Sequence, residues 1–276
     1  MTVPRLNGVT RPAAGSDQSG SLLVLLPSLG TSSAVWDGAV AEVAAALPTM
    51  RILTVDLPGH GTSPGAREPF SISELADATL GLVDTAGGGL FHVAGLSLGG
   101  AVALELVAAH PDRVLSFASF CSGSRIGDAA GWADRAALVR SAGTAALVAA
   151  SAGRWFAPGY LDAPGSTAGA QLLAALVDVD DESYALCCDA LAVFDRTPSL
   201  PEVQVTSLLV SGEFDPVITP ASMREFAAAL PHADYAEIAG AAHLAPLERP
   251  GVAAELLVTG IRAASHGEAH RAKRPR

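Results

Sequence analysis

The chain has 276 residues, of which 50% are hydrophobic and 16% are charged. This length and composition suit one large globular domain and exclude a disordered chain. The formal net charge of −11 argues against partners such as nucleic acid or an anionic membrane surface. Three cysteines are too few for a disulfide framework, and residues 1–20 lack the apolar segment of a signal peptide, so we expect a cytoplasmic protein.

Strands and helices alternate along the first 121 residues. Continuous apolar runs predict buried strands, and helical spacing predicts the segments between them. The predicted strands are residues 22–27, 51–56, 91–94 and 114–120. The predicted helices are residues 35–47, 74–85 and 98–110, with Ser73 as the N-cap of the second. This alternation indicates an α/β protein with a parallel central sheet and right-handed crossovers.

The alternation breaks between residues 122 and 203, where Ala, Leu and Gly dominate. Helices are predicted at residues 133–141, 145–152, 170–178 and 182–194. We call residues 122–203 the cap and predict that it is a helical insertion over the sheet. The strand–helix order resumes with residues 205–211, 222–230, 233–238 and 251–264. Residues 1–121 and 204–264 thus form the predicted core, and residues 265–276 a disordered basic tail.

Residues 95–100 read Gly-Leu-Ser-Leu-Gly-Gly, between a predicted strand and a predicted helix. This is the G-x-S-x-G pattern in the context that a nucleophile elbow requires. Ser97 then lies on a sharp turn, where Gly95 and Gly99 remove side chains that would collide. The N-terminus of the following helix offers N–H groups to an oxyanion. We therefore predict Ser97 as a nucleophile; the alternative is a glycine-rich turn with an incidental serine.

A nucleophilic serine needs a base, and the base needs an acid that orients it. His243 is the predicted base, because it follows the last predicted strand in a loop of small residues. Asp215 is the predicted acid, because it follows strand 205–211 and completes the chain order Ser, Asp, His. Glu213 is the local alternative for the acid, and Asp128 and Asp195 are weaker alternatives within the cap.

The other histidines are expected to be structural: His60, His92, His110 and His232. His266 and His270, in the predicted tail, make a weak metal site, and no metal is expected.

The developing oxyanion of acyl transfer needs fixed N–H donors. The backbone N–H of Leu98, directly after the nucleophile, is one predicted donor. The other is expected from the loop after the first buried strand, which reads Pro-Ser-Leu-Gly-Thr at residues 27–31. Leu29 is the candidate in that loop. Ser28 has no elbow and is expected to form hydrogen bonds within the turn.

Several motifs together resemble a known family. Asp-Leu-Pro-Gly-His-Gly-Thr-Ser at residues 56–63, with the Ser97 elbow, Asp215 and His243, resembles the α/β-hydrolase superfamily. A narrower set resembles the 3-oxoadipate enol-lactone hydrolases: Ser-Leu-Gly-Thr at 28–31 followed by Trp-Asp at 36–37, Arg-Trp-Phe at 154–156, and Cys-Cys at 187–188 before Asp195. The resemblance covers residues 22–262. It departs at residues 1–21, which are short for the family's opening pair of strands, and at Pro27, where a small polar residue is expected.

The resemblance implies an α/β-hydrolase fold and a serine esterase of aromatic-compound catabolism, the β-ketoadipate pathway. Such an enzyme opens the ring of 3-oxoadipate enol-lactone through an acyl-enzyme and uses no cofactor. Because that substrate is carboxylated, a cap cation should bind it, and Arg135 and Arg154 are the candidates, with Trp132 and Trp155 as apolar walls. The alternative for each arginine is a solvated position on a cap helix.

Other functions stay open at this stage. The variable cap sets the substrate, so an esterase, another lactonase or a hydrolase of carbon–carbon bonds is the alternative. A non-catalytic binding protein has no need of a complete Ser-His-Asp set. The sequence leaves the oligomeric state open, a homo-oligomer included.

Overall fold

The computed structural model describes residues 3–13 and 21–271. Within them, seven strands form one sheet in the order β1-β3-β2-β4-β5-β6-β7. Only the edge pair β1–β3 is antiparallel. The strands are β1 Asn7–Arg11, β2 Leu22–Leu26, β3 Arg51–Asp56, β4 Phe91–Leu96, β5 Val114–Phe120, β6 Ser207–Gly212 and β7 Ala233–Ile238. The predicted α/β fold with a mostly parallel central sheet is therefore confirmed.

Helices cover the sheet. Every residue of β2, β3 and β4 is buried, as expected for strands that pack against helices on both faces. Outside the cap, α1 packs on α10 and α2 packs on α3. These and the other helices of the core are α1 Asp37–Ala46, α2 Ile72–Thr85, α3 Leu98–Ala109, α8 Pro220–Ala228, α9 Ala245–Glu248 and α10 Pro250–Arg271.

The chain between β5 and β6 contains helices and no strand, and the structure describes all of it. Its first and last long helices, α4 and α7, pack against each other. The helices of this segment are α4 Ala129–Ala142, α5 Val148–Trp155, α6 Thr167–Ala175 and α7 Asp181–Ala192. Across the described residues, no helix is both long enough and apolar enough to cross a membrane.

The described N-terminal residues, 3–13, contain one five-residue edge strand, β1, whose residues are all exposed. Two local expectations differ from the structure. The N-cap of α2 is Ser71 instead of Ser73, because only Ser71 lies three residues before Glu74 and forms a capping box with it. Helix α10 continues to Arg271, so residues 265–271 are helical rather than part of a disordered tail. No proline interrupts this helix between Pro250 and Pro275, and extending a formed helix costs little. Residues 272–276 lie outside the described chain.

Candidate active site

Ser97 lies at the turn between β4 and α3. Its backbone has φ 54° and ψ −118°, a strained conformation for a residue other than glycine. A side chain at Gly95 would collide with the backbone of Gly99, and one at Gly99 with the backbone of Leu26. Both glycines are therefore required for this turn. The Ser97 hydroxyl makes no hydrogen bond within the described residues, and the residue is 7% exposed.

Residues 120–122, at the carboxyl end of β5, join the Ser97 turn to the loop that carries His243. On one side, Ser97 N–H donates to the Phe120 carbonyl, and the Ser122 hydroxyl donates to the Ser97 carbonyl at 2.7 Å. On the other side, the Cys121 thiol contacts the Ala242 carbonyl at 3.6 Å. Cys121 has φ 46°, so it shares with Ser97 the positive φ that other residues than glycine rarely adopt. Two strained residues thus lie side by side where the ends of β4 and β5 meet the β7 loop.

Asp215 and His243 form a buried hydrogen-bonded pair. Nδ1 of His243 lies 2.9 Å from Oδ2 of Asp215, and the two side chains are 4% and 0% exposed. The other carboxylate oxygen, Oδ1, accepts from the N–H groups of Val217 and Ile218 at 2.8 and 3.0 Å. Asp215 is therefore fixed in orientation, and it in turn fixes the imidazole ring.

The competing carboxylates have other partners. Glu213 accepts the N–H of Gly240 at 2.8 Å, within the loops that follow β6 and β7. Asp128 caps α4 by accepting the Gly131 N–H, and Asp195 accepts the Thr197 N–H. None of these three carboxylates is bonded to His243, in contrast to Asp215. The structure therefore brings together the acid and the histidine that the sequence analysis preferred.

Two backbone donors, on the Ser97 turn and on the loop after β2, are unused in the part of the chain that the structure describes. Neither the N–H of Leu29 nor that of Leu98 donates a hydrogen bond to any part of the chain that the structure describes. The two segments are joined by a 3.1 Å bond from the Gly99 N–H to the Pro27 carbonyl. Buried N–H groups normally have acceptors, so these two free N–H groups are candidate donors to an anionic oxygen.

The two candidate arginines line one pocket of about 200 Å³ beside the Asp215 loop. Trp132, Val217 and Ile126 lie on its walls, and the Arg135 guanidinium stacks over the Trp132 ring at 5.1 Å. Neither arginine forms an ion pair within the described residues. Burial, and after it the positive charge of Arg135, lowers the pKa of the Arg154 guanidinium from its usual value.

The second predicted wall residue, Trp155, is not part of that pocket. It is buried against Gly30 of the loop after β2, and its carbonyl accepts the Leu244 N–H at 2.9 Å. Tyr184 of α7, which the sequence analysis did not select, packs against the same glycine. Burial raises the pKa of Tyr184, and the nearby charges of Arg135 and Arg154 act in the opposite direction. Tyr184 therefore lies between the candidate oxyanion loop and the arginine pocket.

Glu248 is a second residue near the site that the sequence analysis did not identify. Its buried carboxylate accepts the N–H of Ala157 at 2.8 Å and that of Ala242 at 2.7 Å. Burial raises the pKa of this carboxyl group. Glu248 thus ties the His243 loop to the cap segment that follows Trp155. No local pattern reveals such a role, because one of its partners is 91 residues away in the chain.

Comparison with known proteins identifies the family. The model of the alpha/beta hydrolase family matches residues 23–256, which is most of the chain. The chain belongs to the alpha/beta hydrolase family. Among curated members, 3-oxoadipate enol-lactonase 2 of Acinetobacter baylyi is 30% identical over 83% of this chain and 84% of its own.

Two further similarities refine this placement. The crystal structure of the enol-lactonase from Burkholderia xenovorans LB400 is 32% identical, with a TM-score of 0.87 over 93% of this chain and 96% of that one. A pimeloyl-[acyl-carrier protein] methyl ester esterase of Neisseria meningitidis is 39% identical, but over only 37% of this chain and 30% of its own. The resemblance to enol-lactone hydrolases that the motifs indicated is thus confirmed as a resemblance.

Proposed function

We propose that this protein is a serine esterase that opens a carboxylated enol-lactone, with 3-oxoadipate enol-lactone as the first candidate substrate. The observation that carries the proposal is the bonded Asp215–His243 pair beside the strained Ser97 turn, with two unused N–H donors at the same place. Support for the lactone comes from the similarity to two enol-lactonases, those of Acinetobacter baylyi and Burkholderia xenovorans LB400. The proposal places the protein in the cytoplasm and in aromatic-acid catabolism; its three cysteines are free and buried, which suits a reducing compartment.

The proposed reaction begins with acylation of Ser97. The Ser97 oxygen attacks the lactone carbonyl carbon, and its proton passes to Nε2 of His243, while Asp215 holds the proton on Nδ1 and stabilises the imidazolium. The N–H groups of Leu29 and Leu98 bind the oxyanion. Collapse of the intermediate breaks the ring C–O bond and expels an enolate. His243 gives the enolate the proton that it took from Ser97, so the leaving group becomes a ketone and the imidazole is neutral again.

Deacylation reuses the same groups. The ring-opened product stays attached to Ser97 as an ester. His243 removes a proton from a water molecule, whose oxygen attacks the ester carbonyl, and the Ser97 oxygen leaves and recovers a proton from His243. The product carries a second carboxylate. No cofactor takes part in either half of this mechanism.

The arginine pocket provides the proposed specificity. A protein with a net charge of −11 repels an anionic substrate at long range, so a carboxylate must be recognised locally. Arg135 and Arg154 are two neighbouring cations without acidic partners in the described chain, and a substrate carboxylate would relieve their mutual repulsion. Trp132 provides an apolar wall of this pocket, whereas Trp155 lies against the loop that carries Leu29 and Gly30.

The test compares a carboxylated enol-lactone, its neutral methyl ester and an aryl ester as substrates. R135A and R154A should each lower kcat/KM for the carboxylated lactone by roughly 10- to 100-fold, mainly through KM, since a charged hydrogen bond contributes about 1.5–3 kcal/mol. The neutral substrates should change by less than about threefold. Arg125→Ala is the matched control, because Arg125 is an exposed cap arginine outside this pocket. Equal losses on charged and neutral substrates would contradict carboxylate recognition.

A further inference from the structure

His60 is a buried histidine with no part in the proposed chemistry. It lies in the turn after β3, within the Asp-Leu-Pro-Gly-His-Gly-Thr-Ser motif, and is 0% exposed. Nδ1 lies 2.8 Å from the Pro58 carbonyl, and Nε2 lies 3.0 Å from the Gly30 N. A carbonyl only accepts and an N–H only donates. The ring is therefore the neutral tautomer with its proton on Nδ1, and its bare Nε2 accepts from Gly30.

This bond acts on the loop that carries a candidate oxyanion donor. Gly30 follows Leu29 and has φ 82°, and the loop closes through the Thr31 N–H on the Ser28 carbonyl at 3.1 Å. Fixing the Gly30 N–H fixes the plane of the peptide unit that begins at Leu29. A second hydrogen bond joins the same motif to the end of this loop, because Oδ1 of Asp56 accepts the Ser33 N–H at 2.7 Å.

The other side of the loop and of His60 faces the cap. A Cβ at Gly30 would lie 2.9 Å from Leu176 and 3.2 Å from both Trp155 and Tyr184. The His60 ring stacks on Tyr184, with ring centroids 6.2 Å apart and an angle of 23° between planes. The preceding residue is fixed as well, because the Gly59 carbonyl accepts the N–H of Asp180 at 3.0 Å. His60 thus lies in contact with both the oxyanion loop and the cap.

We propose that His60 is a positioning residue, which uses its neutral imidazole to hold residues 28–31 so that the Leu29 N–H faces the oxyanion. The assignment rests on the proposed function, because it concerns how the hydrolytic site is held. Within the described residues, no hydrogen bond or ring contact joins His60 to Ser97 or His243. His60 therefore acts through Gly30 and contributes to kcat rather than to substrate binding.

Two replacements separate its two hydrogen bonds. In H60Q, the side-chain amide extends to the position of Nε2 and presents a carbonyl oxygen to the Gly30 N–H. In H60N, the shorter amide places its NH₂ group near the position of Nδ1 and keeps the hydrogen bond to the Pro58 carbonyl, but it does not reach Gly30.

Hydrolysis of an aryl ester is measured for both variants, because that substrate needs no carboxylate recognition. Removing an oxyanion donor outright costs roughly 10²- to 10³-fold in kcat, so a misplaced donor in H60N should cost roughly 10- to 100-fold. KM should stay within about threefold, and H60Q should stay within about threefold of wild type in kcat.

A readout independent of activity accompanies the kinetics. Hydrogen exchange of the Gly30 amide, measured by NMR, should be at least about tenfold faster in H60N and near wild type in H60Q, because only the first loses the acceptor. The ring ¹⁵N shifts of His60 in the wild-type protein should report a protonated Nδ1 and a bare Nε2. His92 provides the matched control: it is also buried, its Nδ1 lies 2.8 Å from the Ser116 hydroxyl, and H92N should leave kcat unchanged.

The outcomes are distinguishable. Equal kcat losses in H60N and H60Q, unchanged Gly30 exchange in H60N, or a protonated Nε2 in the wild type would each overturn the role of His60. A wild-type protein without Ser97-dependent hydrolysis of any ester or lactone would overturn the proposed function instead. In that case the exchange and ¹⁵N measurements still decide whether His60 holds the loop.

Discussion

Lowering the pH from 8 to 5 should destabilise the folded protein through two buried histidines, His60 and His92. Burial lowers the pKa of each from the ordinary value of 6.5 to about 4. Between pH 6.5 and pH 4 the unfolded chain binds more protons than the folded one. The contribution of each histidine to the free energy of unfolding is therefore fully present above pH 6.5 and is lost as the pH drops toward 4. Between pH 8 and pH 5 the free energy of unfolding should fall by about 2 kcal/mol for each histidine, or about 4 kcal/mol for both.

The assay is urea unfolding followed by circular dichroism at pH 8 and at pH 5, for the wild type and for H92N. Asparagine does not titrate, so H92N should lose about 2 kcal/mol less than the wild type between the two pH values. H232N, at an exposed histidine, controls for the effect of a His-to-Asn substitution as such. If H92N shows the same pH-dependent loss as the wild type, the reasoning from burial is refuted.

Three further predictions concern single side chains. D215N should lower kcat by roughly 10⁴-fold because the imidazole loses the acceptor that fixes its tautomer, whereas E213Q should keep kcat within about threefold; a larger loss in E213Q would reassign the acid. S71A should lower the free energy of unfolding by about 1 kcal/mol through loss of the α2 cap, and S73A by less than about 0.5 kcal/mol, as measured by urea unfolding; equal losses would contradict the capping box. E248Q replaces an acceptor of two backbone N–H groups by an amide with one oxygen and should cost about 2 kcal/mol in the same measurement; an unchanged midpoint would show that this link contributes nothing.

The parts of the structure that the sequence predicts well are those encoded locally. The buried strands β3 and β5 are short, mostly apolar runs between helical segments, and their predicted bounds agree with the structure. The Ser97 elbow is equally local, because two glycines at fixed spacing permit one sharp turn. The capping box at Ser71 is also encoded locally, since Ser71 and Glu74 have the required spacing, although the predicted N-cap is the neighbouring Ser73.

The parts that were missed depend on contacts between distant residues. All residues of β1 are exposed, so no apolar run marks it, and its pairing with β3 alone makes it a strand. The Gly30–His60 bond joins residues 30 apart, and Glu248 joins the cap to the β7 loop. Tyr184 is an ordinary helical residue until the fold places it against Gly30. Such roles become visible only when the tertiary structure is known.

Covalent trapping tests the central claim, that Ser97 is a nucleophile activated by His243 and Asp215. The protein is mixed with a slowly deacylating aryl ester, and the adduct is located by intact-mass measurement and peptide mapping. We expect one acyl group per chain on the peptide that carries Ser97, no adduct in folded S97A, and strongly slowed labelling in H243A. An acyl group on another residue, or S97A that still acylates and hydrolyses like the wild type, would show that Ser97 is not the nucleophile.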